Sequence, residues 1–298
     1  MSNPLVTLAM PSYQHEAYVR DALRSAFVQS YSPLEILISD DGSTDRTFAI
    51  IEEEAARYRG PHKLVVRRNE KNIGPAPHGN LMMDIAQGEF IVVAATDDVS
   101  HPDRVKKMVE VWRDKKVSLV TCNAIVIDGS GTSAQRYFIG PERSRDVSLE
   151  ALARDGSIVT CFGAGMGWDR ALYTRFGKLP LSLSTADILL PFRAGLLGGN
   201  YFLDEPLLKF RIHRTSSGLS QQLEGASPIR QAEIWEEIGF THASHTVVML
   251  EELSRFIGEN GSTERLGQVA GLLYGSLHRF TKQWAEARAR LQTVRAAA

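Results

Sequence analysis

Cysteine is scarce in this chain: Cys122 and Cys161 are its only two. Both lie in apolar surroundings, so they offer neither a disulfide framework nor a zinc site. They read as buried reduced thiols of a cytosolic protein. Charge of one sign is also missing. A net charge of −1 provides no global basic field for nucleic acid. No run reaches about 18 uninterrupted apolar residues, so no transmembrane helix is expected. Met1-Ser2-Asn3-Pro4-Leu5 lacks a basic region and a long apolar core and is not expected to act as a signal peptide. A cytoplasmic protein is expected, working from the surface of any membrane it meets. The 298 residues suit one large domain, or one domain with an appendage.

What the chain does have is alternation. Short apolar runs at Leu5 to Met10, Leu34 to Ser39, Leu64 to Arg67, Phe90 to Ala95 and Val117 to Ile127 read as strands. Helical patterns separate them: Glu16 to Gln29, Thr44 to Tyr58, Asn80 to Ala86 and Pro102 to Arg113. Ser43 or Thr44 would cap the second helix, and a Ser100-x-x-Asp103 box would start the fourth. Asp128-Gly129-Ser130-Gly131 closes the series as a turn. This βα alternation predicts a mostly parallel sheet covered by helices. Beyond it, helices are expected at Ser148 to Arg154, Asp169 to Phe176 and Thr185 to Leu197. Short strands are expected at Ala164 to Trp168, Tyr201 to Leu203 and Leu207 to Ile212, and a polar loop from Arg214 to Glu224. From Pro228 the pattern is helical only, acidic over Ile229 to Gly258 and basic over Arg279 to Arg295. The expected division is a catalytic domain over 1–224, with halves 1–128 and 129–224, and a helical extension over 225–298.

Two of the expected strands end in paired carboxylates: Glu89-Phe90-Ile91-Val92-Val93-Ala94-Ala95-Thr96-Asp97-Asp98 and Leu34-Glu35-Ile36-Leu37-Ile38-Ser39-Asp40-Asp41-Gly42-Ser43. Acidic pairs at the ends of buried strands are costly without a cationic partner. A divalent cation shared with substrate phosphates is the simplest one. Ligands in such sheets sit beyond the carboxyl ends of strands, which brings all four aspartates to one rim.

Val6-Thr7-Leu8-Ala9-Met10-Pro11-Ser12-Tyr13, then Ser39-Asp40-Asp41-Gly42-Ser43-Thr44-Asp45, then Ala95-Thr96-Asp97-Asp98 with Pro102 resemble a family 2 glycosyltransferase. The resemblance covers about residues 4 to 215 and is strongest to the spore-coat polysaccharide branch. It implies the glycosyltransferase-A fold: a single, mostly parallel Rossmann-like α/β sheet flanked by helices, here with a C-terminal helical appendage. It implies an inverting, metal-dependent transfer from a nucleoside diphosphate sugar, by preference a UDP-sugar, to a hydroxyl of a saccharide or lipid-linked saccharide. The pathway it suggests is bacterial surface polysaccharide, O-antigen or capsule. By position, Pro11, Ser12 and Tyr13 would lie under the base, and Asp40 would accept from uracil N3–H. Asp97 would meet the ribose or the metal shell, and Asp98 would bind the metal, Mn²⁺ or Mg²⁺. Asp187 would be the catalytic base, and His213 and Arg211 would contact the diphosphate. The chain departs from the family at Ala95, at Gly79 (where an arginine is common, with His78 beside it) and at Ala186.

The chemistry asks for these groups. A departing diphosphate gains charge that a metal stabilises as a Lewis acid. The acceptor hydroxyl needs a carboxylate within hydrogen-bond reach. Other readings stand beside these. Asp40-Asp41-Gly42-Ser43 also suits a plain turn and cap. Asp187 and Thr185 suit a helix first turn, and Trp168 suits either an acceptor sugar or the core. His15, His62, His101, His242, His245 and His278 read as surface or packing residues. Gly163, Gly165 and Gly167 read as close packing near the acceptor cleft. Gly267, Gly271 and Gly275 form a smooth helical stripe that invites another helix, in this chain or in a homodimer. The basic end could lie on anionic lipid or simply be solvated. The rival functions are a sugar nucleotidyltransferase, disfavoured because Pro11 to Glu16 is neither glycine-rich nor basic, and a non-catalytic nucleotide-binding or interaction protein.

Overall fold

The computed structural model of the chain describes residues 3–138, 143–155, 161–181, 183, 186–213, 223 and 225–296. Its first part runs β1 (Val6–Ser12), α1 (Val19–Phe27), β2 (Leu34–Asp40), α2 (Thr47–Arg57), β3 (Lys63–Arg68), α3 (Pro75–Ile85) and β4 (Phe90–Val93). Then come β5 (Val99–Ser100), α4 (Arg104–Lys115), β6 (Leu119–Ile127), β7 (Ser133–Tyr137), β8 (Arg145–Val147) and α5 (Leu149–Asp155). Finally β9 (Met166–Asp169), α6 (Ala171–Phe176), α7 (Leu189–Leu197) and β10 (Asn200–Arg211) lead into two long helices, α8 (Pro228–Asn260) and α9 (Glu264–Ala296).

The strands form one sheet in the order β3-β2-β1-β4-β9-β6-β10-β5, with β7 on β6 and β8 on β10. β3, β2, β1 and β4 are parallel neighbours, and so are β6 and β10. All seven residues of β2 are buried, as a strand covered on both faces requires. The sheet is more mixed than the alternation predicts. β9 enters antiparallel between β4 and β6, and β5 and β8 run antiparallel to β10. The two short strands expected near residue 207 are one strand, β10, which absorbs the break as register shifts around Pro206.

Several helix starts also differ. α3 begins at Pro75, after Gly74 with φ 86°, because proline suits a first turn. Neither Ser43 nor Thr44 caps α2; Asp45 Oδ1 instead accepts from Thr47 N at 2.9 Å. The Ser100–Asp103 box does not form, since Asp103 accepts from Ser30 Oγ at 2.6 Å. α7 starts at Leu189, so Asp187 lies in the turn ahead of it.

The C-terminal helices are an antiparallel hairpin built into the core. Met249 and Leu253 of α8 and Val269 and Leu273 of α9 share one buried cluster with Leu152, Phe176, Leu189 and Leu190. A buried ion pair locks the hairpin to α7: Arg193 Nη2 meets Glu252 Oε1 at 2.6 Å, with Arg193 1% and Glu252 3% exposed. Arg193 also donates to Gly177 O at 2.8 Å, so both charges are satisfied. The acidic start of α8 faces the basic end of α9, with Arg295 donating to Glu233 at 2.8 Å and Trp284 Nε1 to Glu236 at 2.7 Å. Within this chain the close helix approach occurs at Gly239, where an added Cβ would sit 2.8 Å from Trp284 Cα. Among the described residues nothing lies within 4 Å of a Cβ on Gly267, Gly271 or Gly275. No described helix is long and apolar enough to cross a membrane.

Removing one partner of a buried ion pair strands the other charge. Glu252→Ala is therefore expected to lower the unfolding free energy by about 3–5 kcal/mol, read by urea denaturation. Glu233→Ala, in an exposed pair, is expected to leave the midpoint almost unmoved.

Candidate active site

The carboxyl ends of β1, β2 and β4 share one rim because the three strands are parallel and in register. β9 is antiparallel, so its amino end lies beside the carboxyl end of β4, with Gly167 opposite Val92. The loop ahead of β9 therefore reaches the same rim. β10 brings its own carboxyl end there, next to that of β6.

At the end of β2, Asp40 has no exposed surface. Its carboxylate accepts from Ser43 N at 2.9 Å and from the Ser43 hydroxyl, with Arg68 Nε 3.4 Å away. Asp41 accepts from Asn69 Nδ2 at 2.6 Å and from Ile73 N and Gly74 N at 3.0 Å each. Gly42 follows Asp41 at φ 70°, and a Cβ there would run into the Lys71 backbone; only glycine fits. Asp40 thus staples the turn through its buried carboxylate.

This turn grips the β1–α1 loop. Gln14 N donates to Ser43 Oγ at 2.9 Å, Gln14 Nε2 to Thr44 Oγ1 at 3.0 Å, His15 N to Thr47 Oγ1 at 2.8 Å and Glu16 N to Asp45 Oδ2 at 3.2 Å. Gln14 is held at φ 58°, a region non-glycine residues seldom occupy. The outcome is the position of His15. Its Nε2 lies 3.7 Å from Asp97 Oδ2, and His213 Nε2 lies 3.2 Å from the same oxygen. His15, Asp97 and His213 each present a ligand atom, and these atoms lie within 4.8 Å of one another.

Asp97 and Asp98 are adjacent but not equivalent. Burial works to raise the Asp97 carboxyl, but the hydrogen bond from His213 and the charge of His15 outweigh it and hold Asp97 below the usual range. The Asp98 carboxyl is pushed well above its usual range, first by burial and then by the negative charge of Asp97. Asp98 is 3% exposed. Its Oδ1 accepts from Arg211 N at 2.8 Å, while its Oδ2 is buried without a hydrogen-bond partner among the described residues. Of the two, Asp97 is the carboxylate that His15 and His213 face. Asp98, expected as the principal metal ligand, faces inward because β10 closes over it. Burial also lowers the His15 imidazole from its ordinary value against the pull of Asp97.

The Arg211 guanidinium is engaged by backbone carbonyls through Nε and Nη1. Nε donates to Asp97 O at 2.8 Å, Nη1 to Asp128 O at 3.3 Å and Gly129 O at 3.2 Å, and the guanidinium lies over the Tyr18 ring at 4.9 Å. It sets the backbone that carries Asp97. His213, two residues on, reaches the rim beside Asp97.

Pro11, Ser12 and Tyr13 end β1 beside Asp40. Ser12 is buried and accepts from Thr96 Oγ1 at 2.7 Å, whereas Tyr13 is 42% exposed and free to meet a flat ring. Asp187 reaches the rim through Gly163, where an added Cβ would collide with its carboxylate. Gly165 and Gly167 are likewise close-packed, against Cys122 O and the Phe90 ring. Trp168 is a core residue, 5% exposed. The expected polar loop from Arg214 to Glu224 lies outside the described residues, apart from Leu223.

Residues 7–176 match the sequence profile of glycosyl transferase family 2. The chain belongs to this family. Among curated relatives, this glycosyltransferase is 28% identical over 232 residues to an uncharacterised glycosyltransferase of Rickettsia typhi, covering 74% of this chain and 69% of that one. It is 27% identical to a teichuronic acid biosynthesis glycosyltransferase, TuaG of Bacillus subtilis, over 47% of this chain and 54% of that one. Among solved structures it is similar to S. aureus TarS 1-349 in complex with UDP-GlcNAc, at TM-score 0.58 and 18% identity, covering 98% of this chain and 92% of that one. It is also similar to a mannosyltransferase of Pyrobaculum calidifontis in complex with GDP-Man and Mn2+, at TM-score 0.57 and 17% identity, covering 100% and 76%. These likenesses place the glycosyltransferase in the glycosyltransferase-A fold.

Sequence reasoning missed His15, which reads as a surface or packing histidine. The available signal was the Ser43-Thr44-Asp45-x-Thr47 run of short polar side chains, which can hold a neighbouring loop by its backbone. Gly163→Ala is expected to destabilise the glycosyltransferase by about 1–3 kcal/mol through overpacking against Asp187. Adding Asp187→Ala should recover most of that loss; a double-mutant cycle with additive penalties would show that the two positions do not touch.

Proposed function

We propose that this glycosyltransferase is an inverting, metal-dependent enzyme. It moves a sugar from a nucleoside diphosphate sugar, by preference a UDP-sugar, to a hydroxyl of a saccharide or lipid-linked saccharide. The observation that carries the proposal is the convergence of Asp97, His213 and His15 on one point of the rim, on a fold whose solved neighbours hold UDP-GlcNAc or GDP-Man with Mn2+. The donor set fits the implied cation: one carboxylate held ionised and two imidazoles suit a divalent ion such as Mn²⁺ or Mg²⁺. When bound, that ion supplies positive charge to the departing diphosphate.

This chain's own residues do the rest. Tyr13 covers the base, with Pro11 and Ser12 at its edge. Asp97 and His213 would hold the cation that neutralises the diphosphate. Asp187, set against Gly163 in the loop ahead of α7, takes the proton from the acceptor hydroxyl as it attacks. A single displacement inverts the anomeric carbon, so no covalent nucleophile is needed. The relation to teichuronic acid and chondroitin enzymes supports a role in bacterial surface polysaccharide such as O-antigen or capsule. The work is done in the cytoplasm or on the inner face of the membrane.

Asp187→Asn is expected to reduce transfer from the accepted donor by about 10²–10⁴-fold, with nucleotide affinity unchanged in calorimetry. Asp97→Ala is expected to abolish the metal-dependent part of UDP binding. Undiminished transfer by Asp187→Asn would remove that residue as the base.

A further inference from the structure

We propose that His15 is a third protein ligand to the cation, giving a two-histidine, one-carboxylate site that takes Mn²⁺ in preference to Mg²⁺ and takes it before the nucleotide arrives. The proposal rests on the donor-site reading above and adds a residue to it.

Three observations carry it. The first is spacing. Metal–ligand bonds of about 2.1 Å put neighbouring ligand atoms about 3 Å apart, and Asp97 Oδ2 lies 3.2 Å from His213 Nε2 and 3.7 Å from His15 Nε2. The second is the tautomer. His15 Nδ1 lies 2.9 Å from Thr96 Oγ1, whose hydroxyl also faces Ser12 Oγ at 2.7 Å and Pro11 O at 3.3 Å. Thr96 has one hydrogen to give. Giving it to Ser12 or Pro11 makes Thr96 the acceptor for His15 Nδ1–H, so the lone pair sits on Nε2, the atom that faces Asp97. A ring nitrogen fixed by its other nitrogen is the usual arrangement of a ligating histidine. The third is the effort made to hold it. The loop is pinned on both sides of His15 by Ser43, Thr44, Asp45 and Thr47, and Gln14 keeps φ 58°. Backbone strain of this kind persists where surrounding structure over-determines it, and it gathers at functional sites. A surface histidine needs none of this.

Two consequences distinguish three protein ligands from one or two. Imidazole nitrogen favours Mn²⁺ and later transition ions over Mg²⁺, which prefers oxygen and water. A site with three ligands from the chain also needs no diphosphate to complete it.

The test is to titrate Mn²⁺ into nucleotide-free protein, following free Mn²⁺ by electron paramagnetic resonance and counting coordinated imidazole nitrogens by its pulsed form. Wild type is expected to bind one Mn²⁺ through two imidazoles and to keep it against an excess of Mg²⁺. His15→Ala and His15→Gln are each expected to retain one imidazole and to bind Mn²⁺ at least about tenfold more weakly, and Thr96→Val about 10–100-fold more weakly. Circular dichroism identifies any variant that has lost its fold, and the wild-type nitrogen count decides the matter without the variants. A single imidazole in wild type, or unchanged Mn²⁺ affinity in a folded His15 variant, would overturn the proposal. If Mn²⁺ binds only after UDP is added, and through one imidazole, the donor-site reading survives and His15 is excluded. If neither Mn²⁺ nor UDP binds alone or together, the donor-site reading itself falls.

Discussion

The rim depends on one residue that touches nothing it would transfer. Arg211 ends β10 and ties three separate segments together: its N–H holds the Asp98 carboxylate, its Nε holds Asp97 O, and its Nη1 holds the Asp128–Gly129 turn after β6. Buried carbonyls and a buried carboxylate are expensive unless partnered; the Arg211 guanidinium partners the carbonyls, and its backbone amide partners Asp98 Oδ1. With Asp98 turned inward, Asp97 is turned outward. Because His213 follows Arg211 by two residues, the same tie sets the distance between Asp97 and His213. A second buried arginine, Arg104, supports the arrangement from below by donating to Val93 O at 2.7 Å and Ala164 O at 2.5 Å, which joins the end of β4 to the loop ahead of β9.

The sequence reads well where periodicity governs and poorly where partners decide. β1, β2, β3, β4 and β6 fall where their apolar runs predict, because short apolar runs bounded by turn residues suit strands. The rim carboxylates are legible as a group from the rule that ligands gather at strand ends. Their division of labour is not. Asp40 and Asp98 look as available as Asp97 on paper, and only the third dimension shows that Ser43 and Arg211 already engage them. Arg211 looks like a phosphate contact because arginine commonly serves as one; here its hydrogen bonds go to backbone. His15 looks bland because its partners, Thr96, Asp97 and His213, are remote in sequence. The antiparallel entry of β9 leaves no local mark either, since strand direction is a property of topology.

The C-terminal helices show the same contrast. Their acidic and basic stretches are plain in the sequence, and in the fold they face one another across an antiparallel hairpin. The charge pattern thus has an explanation inside the chain. The glycine stripe is plain too, yet the close contact forms at Gly239 against Trp284. Spacing shows where two helices could approach; the packing of α8 and α9 on α5 and α7 fixes where they do.

The position of β9 bears on how such a chain can be recombined. Residues 1–128 look like a nucleotide module and the rest like an exchangeable acceptor module. But β9, from the later part, fills the slot between β4 and β6 from the earlier part. Cutting or swapping at the turn near residue 128 would leave two naked strand edges in the middle of the sheet, each a template for another chain. This scaffold can therefore diversify by loop replacement around β9, with the strand itself retained, and not by exchanging whole halves.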